Sequence, residues 1–386
     1  MKTINPTQIK QEFLLNPNIV FLNHGSFGAT PRPVFDSYQR WQLELERQPV
    51  EFIGRKAPEL LHNARVVLGK YLHTHSDNLV YVTNATTGLN IIARSLALKP
   101  GDEVLSTDHE YGALDRTWKF AAQQRGFNYI NYPIPIPLTT KEDFLQTFWK
   151  GVTPKTKVIF ISHITSPTAL IFPVKEICAI ARENGILTVV DGAHAPGQIP
   201  LDLDELGADF YSGNLHKWLC APKGSAFIYA RPEVQDLIEP LIISWGWESD
   251  HPGPSKFVDH LEYTGTRDIA AFLAVEDAIR FQQKFDWDDI RTYCHSLLGD
   301  TLSRIQDLTQ QPALWTNSDH WYSQMASAIL PPAINVDELK IKLYDDFQIE
   351  VPVLEWNHTP LIRLSIQGYN NKTDVDRLLE ALKQLL

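Results

Sequence analysis

From about residue 78 to residue 230, short apolar runs alternate with helical patterns, and this alternation constrains the fold more than any other feature of the chain. Runs at Leu79–Val82, Glu103–Ser106, Lys157–Ser162, Leu187–Val190 and Phe227–Tyr229 are bounded by turn residues, the pattern of strands buried on both faces. Between them, Leu89, Ile92, Ala93 and Leu96 follow i, i+3, i+4, i+7 spacing, and Val174, Ile177, Cys178 and Ala181 repeat it. Lys99-Pro-Gly-Asp and Arg182-Glu-Asn-Gly are the turns that stop a helix before the next strand. The order predicts a doubly wound, mostly parallel sheet. After about Thr266 the pattern changes to longer amphipathic helices, with Phe272, Val275, Ala278 and Ile279 on one face. Strand-like runs at Ser327–Leu330 and Leu361–Ile366 follow, then a last helix from Thr373, with Thr373 to Asp376 as its expected cap. A short polar arm up to about Asn23 precedes the sheet region, and Tyr132–Pro137 (YPIPIP) reads as an extended connection. The expected organisation is α/β, a large sheet unit followed by a smaller α+β unit.

Composition limits what such a chain does. The 386 residues suffice for two or three folding units and a large core. With 35 basic and 46 acidic side chains the net charge is −11, which argues against a general nucleic-acid binder or a polybasic membrane anchor. It leaves room for one small anion in a local pocket. No apolar run approaches the roughly 18 residues of a membrane span, and no secretory h-region is visible, so the expected location is the cytoplasm. Cys178, Cys220 and Cys294 lie far apart, which fits neither a disulfide framework nor a zinc ribbon. His73 and His75 lack neighbouring ligands for a metal and read as a solvated loop; no metal site is expected.

Ligands of doubly wound sheets bind beyond the carboxyl ends of the strands. After the first run comes Thr83-Asn84-Ala85-Thr86-Thr87-Gly88, leading into the Leu89 helix. Small and hydroxyl residues at a helix N-terminus suit an anion, or simply cap the helix. No Gly-rich dinucleotide or nucleoside triphosphate motif accompanies them. Leu187–Val190 is followed by Asp191-Gly-Ala-His194. A carboxylate at the end of a buried strand is costly unless it meets a cation. Asp191 therefore holds a protonated ring nitrogen or a metal, or else caps the next turn. Lys217 stands among His216, Trp218 and Leu219. That setting depresses a lysine pKa and favours Schiff-base formation, unless the lysine is solvated on a loop. An anion cup, a strand-end carboxylate and an amine together match the needs of one cofactor, pyridoxal 5′-phosphate.

At this point the sequence resembles the fold-type I pyridoxal-phosphate enzymes of aminotransferase class V, and within them the isopenicillin N epimerase-like proteins. The resemblance rests on FLNHGSFG (Phe21–Gly28), Asn84–Gly88, DHEYGA (Asp108–Ala113), SHITSPTAL (Ser162–Leu170), DGAHAP (Asp191–Pro196), SGNLHKWLCAPKG (Ser212–Gly224), GTRDIAAFL (Gly265–Leu273) and RLSIQGYN (Arg363–Asn370). It implies a seven-stranded large domain over 26–265, a small domain over 266–386, and an arm over 1–25 packed on the small domain. It implies that Lys217 forms the cofactor imine and shuttles the Cα proton, that Asp191 pairs with the pyridine nitrogen, and that His194 reaches the 3′-oxygen. His109 would stack on the ring. Ala85, Thr86, Thr87, Ser212 and His216 would hold the phosphate, joined by Thr266 from the second subunit of a homodimer. Arg363 would clamp the substrate carboxylate, with Asn23 and His24 at the same end. One of Thr165, Ser166 and Thr168 would approach the cofactor.

The resemblance departs from the desulfurases of the family, which carry a nucleophilic cysteine before the carboxylate-binding arginine; Ile349 to Ile362 holds none. The first expectation is an amino-acid epimerase or racemase, its second acid being His24, Tyr111 or a water. The alternative is a C–S lyase acting on cysteine, cystine or a cysteine sulfoxide, and the third is an aminotransferase. Trp245, Trp247 and Trp356 are expected to pack in the core or wall a pocket.

Overall fold

The computed structural model describes residues 4–316 and 320–386. Twelve strands run in chain order as β1 (Val20–Phe21), β2 (Leu79–Val82), β3 (Glu103–Thr107), β4 (Asn128–Tyr132), β5 (Thr156–Ser162), β6 (Leu187–Asp191), β7 (Phe210–Asn214), β8 (Ala226–Ala230), β9 (Met325–Ile329), β10 (Ile349–Glu350), β11 (Val353–Trp356) and β12 (Thr359–Ser365). Seven of them form one sheet in the order β2-β8-β7-β6-β5-β3-β4. Only β8 runs against its neighbours β2 and β7. The other six point the same way, so the segments that follow β2, β3, β5, β6 and β7 emerge along one edge.

The apolar runs become central strands because both faces of the sheet are covered. Leu105, Ile159, Ile161, Val190 and Tyr211 face one core, together with Ile177, Cys178 and Ala181 of the helix Val174–Glu183. Val104, Val158, Phe160, Val189 and Phe210 face the other, with Leu89 and Ile92 of the helix Ala85–Ser95. Strands β4 and β7 were not expected. Every residue of β4 (NYINY) keeps some solvent exposure at the sheet edge, and β7 (FYSGN) is small and polar where it meets the site, so neither presents an apolar run.

A second sheet, β11-β12-β9, is antiparallel throughout. The N-terminal segment joins it: β1 pairs with β10, and Asn23 bridges to Ser365. The first core continues from the large sheet through Trp218 and Trp287 to Leu361, Leu364 and Leu378, so the two sheets share apolar packing. The last helix, Lys372–Leu385, is capped by Asn371, one turn-position earlier than expected, in a reciprocal box with Asp374. Trp245 is 83 % exposed and Trp247 lies half open, so neither packs in a core; Trp356 does. Among the described residues no helix is long and apolar enough to cross a membrane, and no group of three or more His, Cys, Asp or Glu could hold a metal ion.

Candidate active site

The carboxyl ends of β5, β6 and β7 finish in Ser162, Asp191 and Asn214, three polar residues after apolar or small ones. Ser162 and Asp191 are register partners. Asp191 is buried, and Oδ1 accepts the Ala193 N–H at 2.9 Å. Burial holds its carboxyl above the usual range, with the Ala193 N–H and the Lys217 charge opposing. Among the described residues no cation forms an ion pair with it. A carboxylate so placed fits a protonated ring nitrogen.

Lys217 lies on the loop after β7, with Nζ 3.1 Å from His194 Nε2. Burial, then the Arg363 charge, pulls its amine below the usual lysine range, and Asp191 pulls it back. His194 is neutral because burial and the cations around it hold its pKa well down. Trp218 Nε1 donates to His194 Nδ1 at 3.3 Å, so the imidazole proton sits on Nε2 and points at the amine. The amine, brought down to about 7, gives up its proton near neutral pH and is then a nucleophile.

The loop is fixed from behind. His24 is fully buried, with Nδ1 2.9 Å from the Tyr369 hydroxyl and Nε2 3.0 Å from the Lys217 carbonyl oxygen. Gly28, at φ +71°, passes so close that a Cβ there would come within 2.0 Å of the His216 carbonyl oxygen. This explains the pattern FLNHGSFG: it braces the lysine loop.

A cavity of about 320 Å³ opens over these groups. At one end stands the start of the helix Ala85–Ser95. Asn84 Oδ1 accepts the Thr87 N–H at 2.8 Å, a cap worth roughly 1 kcal/mol, and Asn214 Oδ1 accepts the Ala85 N–H at 2.8 Å. Thr86, His216 and Gly224 line the cavity with Asn84 and Ala85. This arrangement fits a phosphate. His216 donates from Nδ1 to the Ser225 carbonyl at 3.0 Å, and its Nε2 donates to an anion only in the imidazolium form, which burial and the Lys217 charge disfavour. Thr87 and Ser212 do not reach the cavity: Thr87 Oγ1 donates to Asn84 Oδ1, and Ser212 Oγ donates to the Phe227 carbonyl. Both are supports of the cup and not ligands.

The other end is formed by Ser26, Ser166 and Tyr111. Behind the serines lies Arg363 on β12, 6 % exposed. Its Nη1 donates to the Ser166 carbonyl and hydroxyl oxygens at 2.7 and 3.2 Å, and Nη2 donates to Ser26 Oγ at 3.0 Å. Nε is buried without a partner, and among the described residues no carboxylate pairs with the guanidinium. Burial lowers its pKa to about 10.

Other expected residues fall elsewhere. His109 is fully buried outside the cavity, its Nδ1 2.8 Å from Thr168 Oγ1, its Nε2 2.8 Å from the Ile134 carbonyl oxygen, and its ring packed on Trp356. Tyr111, two residues later and 45 % exposed, is the aromatic ring of DHEYGA in the cavity wall. The turn after β3 sends one side chain inward and the other out, which composition does not reveal. His24 likewise has no ring nitrogen left for a substrate. Asn23 binds Glu350 and Ser26 and does not line the cavity. Of Thr165, Ser166 and Thr168, only Ser166 does, the two threonines bonding each other at 2.7 Å. Thr266 is exposed and away from this chain's cavity. Sequence reasoning missed Ser26, Ser162 and Asn214, although two of them are strand-final polar residues, the same signal that marked Asp191.

The family profile described as Aminotransferase class-V matches residues 26–378. The chain belongs to the aminotransferase class V family. It is 35 % identical to the isopenicillin N epimerase of Amycolatopsis lactamdurans over 388 residues, covering 97 % of each chain. It is 28 % identical to a probable chloroplastic L-cysteine desulfhydrase of Arabidopsis thaliana over 423 residues, covering 99 % of this chain and 86 % of the relative. In three dimensions it is similar to the cystine C–S lyase C-DES, solved in a variant with glycine covalently linked to its PLP cofactor: TM-score 0.84, 21 % identity, 96 % of this chain and 97 % of that one. The seven-stranded sheet and its flanking helices are thus the fold-type I architecture of this family.

The cofactor of this class V enzyme is pyridoxal 5′-phosphate, and the residues fit it. An anion cup, an amine of lowered pKa and a buried carboxyl line one cavity. When bound, the group withdraws electrons from the substrate Cα and so acidifies its proton.

Proposed function

We propose that this enzyme inverts the Cα configuration of an amino acid, as an epimerase or racemase. The observation that carries the reading is the near-complete alignment with the Amycolatopsis isopenicillin N epimerase at 35 % identity, which spans every segment of the cavity. In this reading the charge of Arg363, buried behind Ser26 and Ser166, draws the substrate carboxylate to that end of the cavity, fixing which bond at Cα is presented. Lys217, held uncharged, takes the Cα proton on one face. Tyr111 returns a proton on the other. Of the two side chains expected for that role it alone lines the cavity, and His24 is committed to Tyr369 and the Lys217 carbonyl. His194 Nε2–H steadies the lysine amine between transfers.

The experiment is incubation of the holoenzyme with a panel of L-amino acids in heavy water. Racemised product carrying deuterium at Cα is expected. Tyr111→Phe should keep exchange in the L-enantiomer but lower inversion by roughly 100-fold, the scale of one general acid. Equal loss of both would remove Tyr111 from the role, and release of pyruvate with sulfide would overturn the epimerase reading. That outcome belongs to the second reading, a C–S lyase, which the desulfhydrase relative supports. A persulfide route through the protein's own cysteine is disfavoured: Cys178, Cys220 and Cys294 are all buried, and burial pushes each thiol up, to about 12 for Cys178 and Cys220.

We also infer that the chain works as a homodimer. Leu241, Ile242, Ile243 and Trp245 are large apolar side chains exposed within five residues of sequence, and Phe27, at the cavity wall, is exposed too. Thr266, exposed in its own chain, would complete the anion cup of the second subunit. Sedimentation should give twice the mass of one chain, and Trp245→Glu should shift it toward monomer with weaker cofactor binding; a monomeric active enzyme would refute the dimer.

A further inference from the structure

One buried acid next to the cavity has no part in the chemistry above. Glu110, adjacent to Tyr111, reaches back under the end of β5. Its Oε2 is 2.5 Å from Ser162 Oγ, and its Oε1 accepts from Thr107 Oγ1 at 2.7 Å. Thr107 Oγ1 in turn accepts the His109 N–H at 3.2 Å, so its own hydrogen is directed to Glu110 Oε1. Any proton on Glu110 therefore lies on Oε2, in the bond to Ser162.

Ser162 lines the cavity and is the register partner of Asp191. A hydroxyl has one hydrogen, and its neighbour decides where that hydrogen goes. If Glu110 is the acid, Oε2–H donates to Ser162 Oγ and the serine hydrogen turns to the cavity. If Glu110 is the carboxylate, it takes the serine hydrogen and the cavity sees lone pairs only. We propose that Glu110 is a positioning residue that sets, through Ser162, whether the wall beside Asp191 donates or accepts a hydrogen bond. A donor there favours a ligand atom carrying negative charge; an acceptor repels it.

The surroundings keep this acid protonated under ordinary conditions. The titratable groups that face it are Asp191 on β6, Asp115 on the helix Gly112–Arg125 and Tyr129 on β4. None is a cation. Burial, with Asp191 and Asp115 adding to it and the two hydroxyls opposing, pushes Glu110 up to about 8. At neutral pH the serine is then a donor, and the change falls on the alkaline side.

The test compares wild type, Glu110→Gln, Ser162→Ala and the double variant as pyridoxal-phosphate holoenzymes, following the cofactor's visible absorption across about pH 6 to 10. The glutamine amide can donate to Ser162 but has no proton to lose. Wild type should show a titration step that both single variants lack, moving the apparent midpoint by about half a pH unit or more. The double variant should match Ser162→Ala, since Glu110 acts only through that hydroxyl. Infrared difference spectra between wild type and Glu110→Gln should show the carbonyl stretch of a protonated carboxylic acid that fades over the same pH range. Identical titrations in all four proteins, or additive effects in the double variant, would overturn the relay while leaving the cofactor site intact. Absence of a visible band from every protein would remove the cofactor and the relay together. If Glu110→Gln does not fold, Ser162→Ala decides alone: loss of the step supports the relay, and its retention refutes it.

Discussion

The two ends of the cavity are built on opposite electrostatic plans. Toward the large sheet, the ionisable groups stand close to one another and hold each other in check: burial and the Arg363 charge bring the Lys217 amine down to about 7 beside His194, and Asp191 lies on the same floor. Toward the small sheet, Arg363 keeps its full charge and has only serine oxygens around it, with one N–H unused. The first end is a matched set that prepares a reaction. The second is an uncompensated cation, and a buried cation without a counter-charge is a standing demand for an anion. In the proposed function the difference separates the residues that act on Cα from the residue that holds the molecule in place.

The contrast can be broken most severely at the reactive end. Lys217→Ala should lower kcat by about 10⁴-fold or more and abolish the lysine-dependent absorption band of the cofactor, because in the proposed reaction the amine is both attachment point and proton carrier. A loss of only a few fold would show that the Cα proton moves by another group. At the binding end the effect should be smaller and of another kind. Arg363→Ala should raise KM for α-carboxylate substrates by roughly 10- to 100-fold, one charge-assisted pair, with kcat changed less. Arg363→Lys should recover part of that loss, since the charge returns but the planar fork does not. Equal falls in kcat for both variants would erase the distinction between the two ends.

The smallest effect is expected in stability. Glu110 rises from an ordinary value of 4.5 to about 8 on folding, so the native state binds more protons than the unfolded chain between these limits. Stability from this group is therefore present at the acidic side and is lost as pH rises through that window. Glu110→Gln lacks the loss. Its melting temperature relative to wild type should climb by a few degrees from acidic to alkaline pH, as followed by thermal unfolding. A constant difference would mean that Glu110 does not titrate there.

Five of the seven strands of the large sheet were legible because a strand covered on both faces must be a continuous apolar run. The two missed, β4 and β7, lie where that rule lapses: one at the edge, the other among the polar residues of the site. Asp191 and Lys217 were legible for a related reason. A carboxylate ending an apolar run and a lysine among tryptophan and leucine break the local pattern. Composition gave no such signal for Trp245, whose exposure depends on what covers it. The histidines were misleading. His24 and His109 carry reactive side chains in distinctive motifs, yet both serve as braces, because each has its two ring nitrogens occupied inside the protein.

The sequence by itself determined most of the sheet and the pair of charges that marks its working edge, though not the reversal of β8, since burial of apolar runs and the cost of a buried charge are local and periodic constraints. Tertiary structure alone decided the rest. It brought β12 and the segment after β1 to the cavity, turned Tyr111 inward where His109 turned away, and placed Glu110 behind Ser162. These choices depend on packing between parts of the chain far apart in sequence, and on single turns whose side-chain directions no periodicity fixes.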